Sequence, residues 1–126
     1  MKPPPVVLTI AGSDNSCGAG LQADLKTITA LGGYAQTAVT CVVAEVPGAV
    51  ELIQPVKPAV VAAQVRLSLR AFPVKAAKTG MLFSRGIIEA VAEALGAAPK
   101  LPLIVDPVMV ASSGQTTLTL CTRMPS

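Results

Sequence analysis

LTIAGSDNSCGAG, residues 8–20, passes from an apolar strand into glycines and small polar residues, and LQADLKTITALGG, residues 21–33, follows it. Leu21, Leu25, Ile28 and Leu31 recur at helical spacing, and Gly32 and Gly33 close the helix. A strand, a glycine turn and a helix in succession bring backbone amides and a helix N-terminus to one place, an arrangement suited to a polar ligand. The kind of ligand follows from what the loop lacks. A Walker loop carries four residues between its glycines and a Lys-Ser/Thr pair after them. Here five residues separate Gly12 from Gly18, and the chain continues Ala19-Gly20-Leu21-Gln22. The dinucleotide fingerprint GxGxxG is missing as well. The loop is therefore expected to wrap a flat polar molecule rather than a triphosphate, with glycines 12, 18 and 20 letting the backbone come close. Asp24, one turn into the helix, either accepts hydrogen bonds from an amine or hydroxyl of that ligand or stands as a solvated acid complementing the helix dipole.

Outward from this loop the pattern repeats. PVVLTIAG (5–12) is the first strand, and YAQTAVTCVVAE (34–45) is a second, ending near Glu45. VPGAVELIQPV reads as a turn with a short extended segment. Pro58 suits the first turn of a helix whose inner face is Val61, Val65, Leu69 and Phe72, stopped by Pro73. VKAAKTGML is a third strand. Ser84 caps a helix with Ile87, Ile88, Val91, Ala92 and Leu95 inside and Gly96 at its end. LPLIVDPVMV is the fourth strand, broken by Asp106 and Pro107. Strands alternating with helices through short connections predict an α/β fold, a mostly parallel sheet with helices on both faces. The last segment, SSGQTTLTLCTRMPS, carries no helical periodicity and offers nothing to cover the fourth strand.

Composition narrows the function. The chain has 126 residues, of which 52% are hydrophobic, with a mean hydropathy of +0.62, enough apolar surface for one domain. Each apolar run is interrupted before membrane-span length, and MKPPPVV lacks the apolar core of a signal peptide, so a cytoplasmic protein without a membrane partner is expected. Ten basic and seven acidic residues are scattered without a basic run, which argues against a nucleic-acid partner. Cys17, Cys41 and Cys121 are odd in number and far apart, which fits neither a disulfide framework nor a zinc site. The chain has no histidine, which removes Ser/His/Asp and Cys/His catalysis. Carboxylates, lysines and backbone amides are left to do any chemistry.

Ligands of open parallel sheets bind outside the carboxyl ends of the strands. Gly12 follows the first strand, Glu45 ends the second, Gly80 and Met81 follow the third, and Asp106 ends the fourth. The unusual residues thus share one predicted edge. Turn glycines and solubilising charges in a purely structural protein would give the same pattern.

LTIAGSDNSCGAGLQADLKTITALGGY, TCVVAEVPGAV, KTGML and IVDPVMVASSG together resemble the hydroxymethylpyrimidine and hydroxymethylpyrimidine phosphate kinases of thiamine biosynthesis, in order, from about residue 6 to residue 114. AGSD followed by GAGLQADLKT is specific to that family. DPVM is shared with pyridoxal kinases. The resemblance implies a ribokinase-like fold, truncated, with residues 1–114 as its N-terminal half and 115–126 as a tail that does not match. It implies transfer of the ATP γ-phosphoryl to the hydroxymethyl group of 4-amino-5-hydroxymethyl-2-methylpyrimidine and then to the monophosphate, with Mg2+ as the metal and a homo-oligomeric whole enzyme. Gly12, Ala19, Asp24, Val43, Glu45, Met81 and Val108 would line the pyrimidine pocket, and Asp106 would face the phosphates and magnesium. Glu45 departs from the family pattern, in which glutamine usually stands at this position and can donate as well as accept.

The parts of that family that hold the transferred phosphoryl group, a GTG-containing anion hole and the residue beside the attacking hydroxyl, belong to its second half and have no counterpart in this sequence. No catalytic residue is therefore assigned, and negligible ATP turnover is expected of the chain alone. A non-catalytic pyrimidine-binding module and a pyridoxal or pyridoxine kinase fragment are the alternatives. Binding of hydroxymethylpyrimidine without ATP marks the first, and competition by pyridoxal marks the second.

Overall fold

The structure is a computed structural model that describes residues 1–108. The expected tail 115–126, the segment 109–114 before it and Cys121 lie outside the described residues. The elements are β1 (Val6–Asp14), α1 (Gly20–Ala30), β2 (Tyr34–Val46), β3 (Ala49–Pro55), α2 (Pro58–Ala71), β4 (Val74–Thr79), α3 (Arg85–Leu95) and β5 (Leu103–Val105). They form one sheet in the order β3-β2-β1-β4-β5. β1 pairs parallel with both β2 and β4, and β4 pairs parallel with β5. These four strands therefore point their carboxyl ends the same way, as the alternating pattern predicts.

β3 differs from expectation. VELIQP is a full antiparallel partner of β2 and not merely an extended segment, with Val46 opposite Ala49 across Pro47 and Gly48. Proline followed by a glycine at φ 85° suits a type II turn, and this sends the chain straight back along β2. β3 covers only the distal part of β2, residues 41–46. Below it, Gln64 of α2 takes over the exposed edge: its side-chain oxygen accepts from the Val39 amide at 2.9 Å, and its nitrogen donates to the Val39 carbonyl at 3.1 Å.

The two faces of the sheet are unequal. Leu8 and Ile10 of β1 and Ala77 of β4 meet Val61 and Val65 of α2 and Ile87, Val91 and Ala94 of α3 in the main core. Each of the larger side chains contributes about 1.5–3 kcal/mol by leaving water. Thr9, between Leu8 and Ile10, points the other way, as strand alternation requires, and there it meets α1. Ser84 caps α3 as expected, its hydroxyl accepting from the Ile87 amide at 3.3 Å.

Helix faces are where the periodic reading errs. In α1 only Leu21 is buried, while Leu25 is 43% and Leu31 83% exposed. The face turned to the sheet runs through Leu21, Asp24 and Ile28, because the sheet offers Asp24 polar partners at that point. Phe72 is 46% exposed at the end of α2, and in α3 Ala94, not Ala92, is the buried alanine.

Candidate functional site

The loop after β1 is built around Asp14, which is 4% exposed. One carboxylate oxygen accepts from the Ser16 amide at 2.8 Å and the Ser16 hydroxyl at 2.7 Å. The other accepts from the amides of Gly18 at 3.1 Å and Ala19 at 2.8 Å. Burial alone would raise the pKa of this group, but the hydrogen bonds from Ser16, Ala19 and Gly18 favour the anion and hold its pKa below the ordinary value. Residues 15–19 thus wrap a buried carboxylate of their own, and the turn places Cys17 at φ 61°. An Asp at the first position of a small polar turn is a sequence signal for this arrangement, and a reading confined to the glycines misses it.

α1 is fastened to the same place. The side-chain oxygen of Gln22 accepts from the Asp14 amide at 2.8 Å, and its nitrogen donates to the Ser13 hydroxyl at 2.7 Å. Gly20 has φ 60°, and a Cβ there would lie 2.4 Å from the Gly12 carbonyl oxygen. The N-cap of α1 is Ala19, which has no side chain able to cap the helix, and its own amide is taken by Asp14.

Gly12 is the floor of the rim. A Cβ on it would lie 2.9 Å from both Cys41 Sγ of β2 and Met81 Cε, so these side chains close over the bare backbone. Met81 is held in turn, its carbonyl accepting from the buried Thr40 hydroxyl at 2.7 Å, and the Gly80 amide donates to the Ile10 carbonyl at 2.8 Å. Val43 is buried opposite Asp14 in the β1–β2 register. Glu45 is tied in through its backbone amide, which donates to Asn15 Oδ1 at 2.7 Å. Partial burial, and then the charge of Asp14, push the Glu45 carboxyl above its usual range. Burial raises the Cys41 thiol likewise, so it remains protonated and unreactive at neutral pH.

Gly12, Ala19, Val43, Glu45 and Met81 therefore gather at one rim. Asp106 and Val108 stand on the same carboxyl side beyond β4, where the Asp106 amide donates to the Thr79 carbonyl at 3.0 Å. Asp24 is set lower, between α1 and the sheet. Its oxygens accept from Lys78 Nζ at 2.9 Å each, and one of them also accepts from the Thr9 hydroxyl at 2.6 Å. Neither reading of Asp24 from the sequence anticipates a lysine 54 residues away. Among the described residues no group of three or more His, Cys, Asp and Glu side chains could hold a metal ion, and no helix is long and apolar enough to cross a membrane. A groove of about 800 Å3 elsewhere, lined by Arg66, Leu67, Phe72, Val74 and Leu101, is apolar and contains none of the rim residues.

The Glu45 shift has a testable sign. The folded protein keeps this proton to a higher pH than the unfolded chain, so stability falls as pH rises from 4.5 through the folded value. Glu45→Gln is expected to stabilise the protein at neutral pH by up to about 0.5 kcal/mol and to change nothing below the unfolded pKa. Urea unfolding at the two pH values measures the difference.

The architecture is that of the ribokinase-like α/β kinases: a phosphomethylpyrimidine kinase from Clostridium difficile superposes with a TM-score of 0.83 at 38% identity, over 91% of this chain and 50% of that one. A Staphylococcus aureus pyridoxal kinase, solved with AMP-PCP and pyridoxal, superposes with a TM-score of 0.73 at 40% identity, over 84% of this chain and 40% of that one. The sequence profile of phosphomethylpyrimidine kinase matches residues 14–122, and the chain belongs to that family. The hydroxymethylpyrimidine/phosphomethylpyrimidine kinase of Streptomyces coelicolor is 48% identical over 119 residues, covering 91% of this chain and 42% of the relative. The chain thus spans half, or less, of the length of these relatives.

Proposed function

We propose that this chain supplies the acceptor-binding part of a kinase that phosphorylates hydroxymethylpyrimidine and its monophosphate with ATP, within thiamine biosynthesis. The observation that carries this reading is the bare Gly12 backbone enclosed by Cys41 and Met81, beside the Asp14-anchored loop and Glu45. A flat aminopyrimidine fits such a site: its faces take apolar contact from Met81, Val43 and Val108, and its amine donates to the Glu45 carboxylate. Methionine, soft and unbranched, suits that contact. Gly12 and Ala19 let backbone reach the ring, and Asp24 acts from behind, where it fixes Lys78.

In the first transfer the acceptor hydroxyl oxygen forms a bond to the γ-phosphorus while the bond from that phosphorus to the bridging oxygen of ADP breaks, and the hydroxyl proton is released; in the second an oxygen of the monophosphate takes the place of the hydroxyl. Asp106, an exposed carboxylate at the end of β5, fits Mg2+, which binds through one or two carboxylates together with phosphates and keeps several waters. The ion would neutralise phosphate charge there. What this chain's residues do is bind and orient the acceptor.

Calorimetric titration of the chain with hydroxymethylpyrimidine, without ATP, tests the proposal. Gly12→Ala is expected to weaken binding by about tenfold or more, since the new methyl meets Cys41 and Met81 at 2.9 Å and displaces the floor. Pyridoxal is the discriminating competitor, given the likeness to a pyridoxal kinase. Tighter binding of pyridoxal than of hydroxymethylpyrimidine would assign the site to the other class.

A further inference from the structure

Cys41, Val43 and Glu45 alternate along β2 with Val42 and Ala44 and so share one of its faces. Cys41 and Val43 are buried and Glu45 is half-buried, whereas Val42 and Ala44 are exposed. This column starts at the Gly12 floor, where Cys41 Sγ stands, and rises past Val43, opposite Asp14, to the Glu45 carboxyl group at the rim. A flat ring resting on Gly12 against Val43 therefore meets Glu45 at its edge.

The groups around this carboxyl group are few. From β1 its neighbour is Asp14, whose oxygens are already filled by Ser16, Gly18 and Ala19. Below it on β2 lies the protonated Cys41 thiol. On β3, Val50 stands opposite Glu45, and Glu51 beside it is exposed. Asn15 of the loop spends its side-chain oxygen on the Glu45 backbone amide, and Lys78 is held by Asp24 between α1 and the sheet. Among the described residues the Glu45 carboxyl group thus has no hydrogen-bond or ion-pair partner. Burial without a partner, and then the charge of Asp14, favour its neutral form.

The chemistry of an aminopyrimidine supplies what this group lacks. Its exocyclic amine stands next to a ring nitrogen, which presents one donor beside one lone pair. A carboxylate facing that edge accepts from the amine with one oxygen, but its second oxygen then meets the lone pair of the ring nitrogen with no hydrogen between them. One added proton, on the oxygen or on the nitrogen, removes the conflict. A glutamine would offer the same donor and acceptor pattern from its amide without any proton.

We propose that Glu45 makes pyrimidine binding proton-linked: the complex takes one proton from solvent and holds it between the Glu45 carboxyl group and the ring nitrogen beside the amine, so that the site selects heteroaromatic ligands carrying that edge. The proton returns to solvent on release, and no covalent bond changes. The inference rests on the reading of the rim as the pyrimidine site.

The test is calorimetric titration of the full chain with hydroxymethylpyrimidine in two buffers of different ionisation enthalpy, from neutral to mildly alkaline pH, where the free pyrimidine is uncharged. Uptake approaching one proton per ligand is expected, with a Kd that rises by up to about tenfold per pH unit. Glu45→Gln is expected to bind without proton uptake, with a Kd constant over this range and, at its alkaline end, about tenfold or more below that of the native chain. A substitution that acted only through packing would change affinity and leave the proton count as it was. Binding by the native chain without proton uptake, or uptake that persists in Glu45→Gln, would overturn the proton-linked site and leave the pyrimidine reading standing. Absence of binding by both proteins at every pH would overturn the two together.

Discussion

Gly20→Ala is expected to lower the free energy of unfolding by about 3 kcal/mol or more. Two costs combine at this position. An L-residue at φ 60° pays for the left-handed conformation, about 1 kcal/mol. The larger cost is steric, because the new Cβ would stand 2.4 Å from the Gly12 carbonyl oxygen, and both partners are backbone. No rotamer relieves that contact. The start of α1 must move off β1, which strains the paired hydrogen bonds of Gln22 and the loop wound around Asp14. Gly32→Ala is the internal control: Gly32 has φ 85° with nothing within 4 Å of its notional Cβ, so it pays only the conformational cost, about 1 kcal/mol. Urea denaturation of the two variants separates the terms. Equal losses would show that the approach of Gly20 to Gly12 has no energetic consequence.

Asp14→Ala is the second large effect, with an expected loss of about 2–4 kcal/mol at neutral pH. The substitution removes the acceptor of three backbone amides and one hydroxyl, and these donors surround a residue only 4% exposed. The pH dependence identifies the cause. Because the folded pKa lies below the ordinary 3.8, the stabilisation is fully present above 3.8 and is lost as pH falls through the folded value. The gap between the native chain and Asp14→Ala should therefore narrow on acidification below 3.8. A gap constant across that range would mean that the loss comes from packing and not from the carboxylate. Hydroxymethylpyrimidine binding should fall along with stability, since the amides of Gly18 and Ala19 lose the anchor that fixes the loop.

The order of strands and helices is legible from apolar spacing and glycine punctuation, because β1, β4 and α2 satisfy one strong period each. β3 is harder: VELIQP has charged and exposed residues on a short run, and only its register against β2 makes it a strand. Spacing also favours Leu25 as a core residue of α1, yet the sheet presents Thr9 and Lys78 at that height, so Asp24 turns inward and Leu25 is left in water. Such long-range polar pairing leaves no periodic trace in one sequence. The rim residues are more legible than their supports. Gly12, Glu45 and Met81 fall at strand ends, where any parallel sheet collects ligands, and the AGSD segment that carries Gly12, with the GAGLQADLKT that follows it, is specific to one family. Thr40, Asn15 and Gln22, which hold them, are ordinary polar residues until the fold brings them to backbone groups of other elements.

The claim on which the functional account depends is that a small heteroaromatic alcohol sits at the carboxyl rim of β1, β2 and β4. Amide chemical-shift mapping of the full chain during titration with hydroxymethylpyrimidine tests it most directly. The account predicts saturable shifts concentrated at Gly12, Ala19, Glu45 and Met81. Shifts confined to the groove around Arg66, Leu67 and Phe72, or none at saturating ligand, would contradict it.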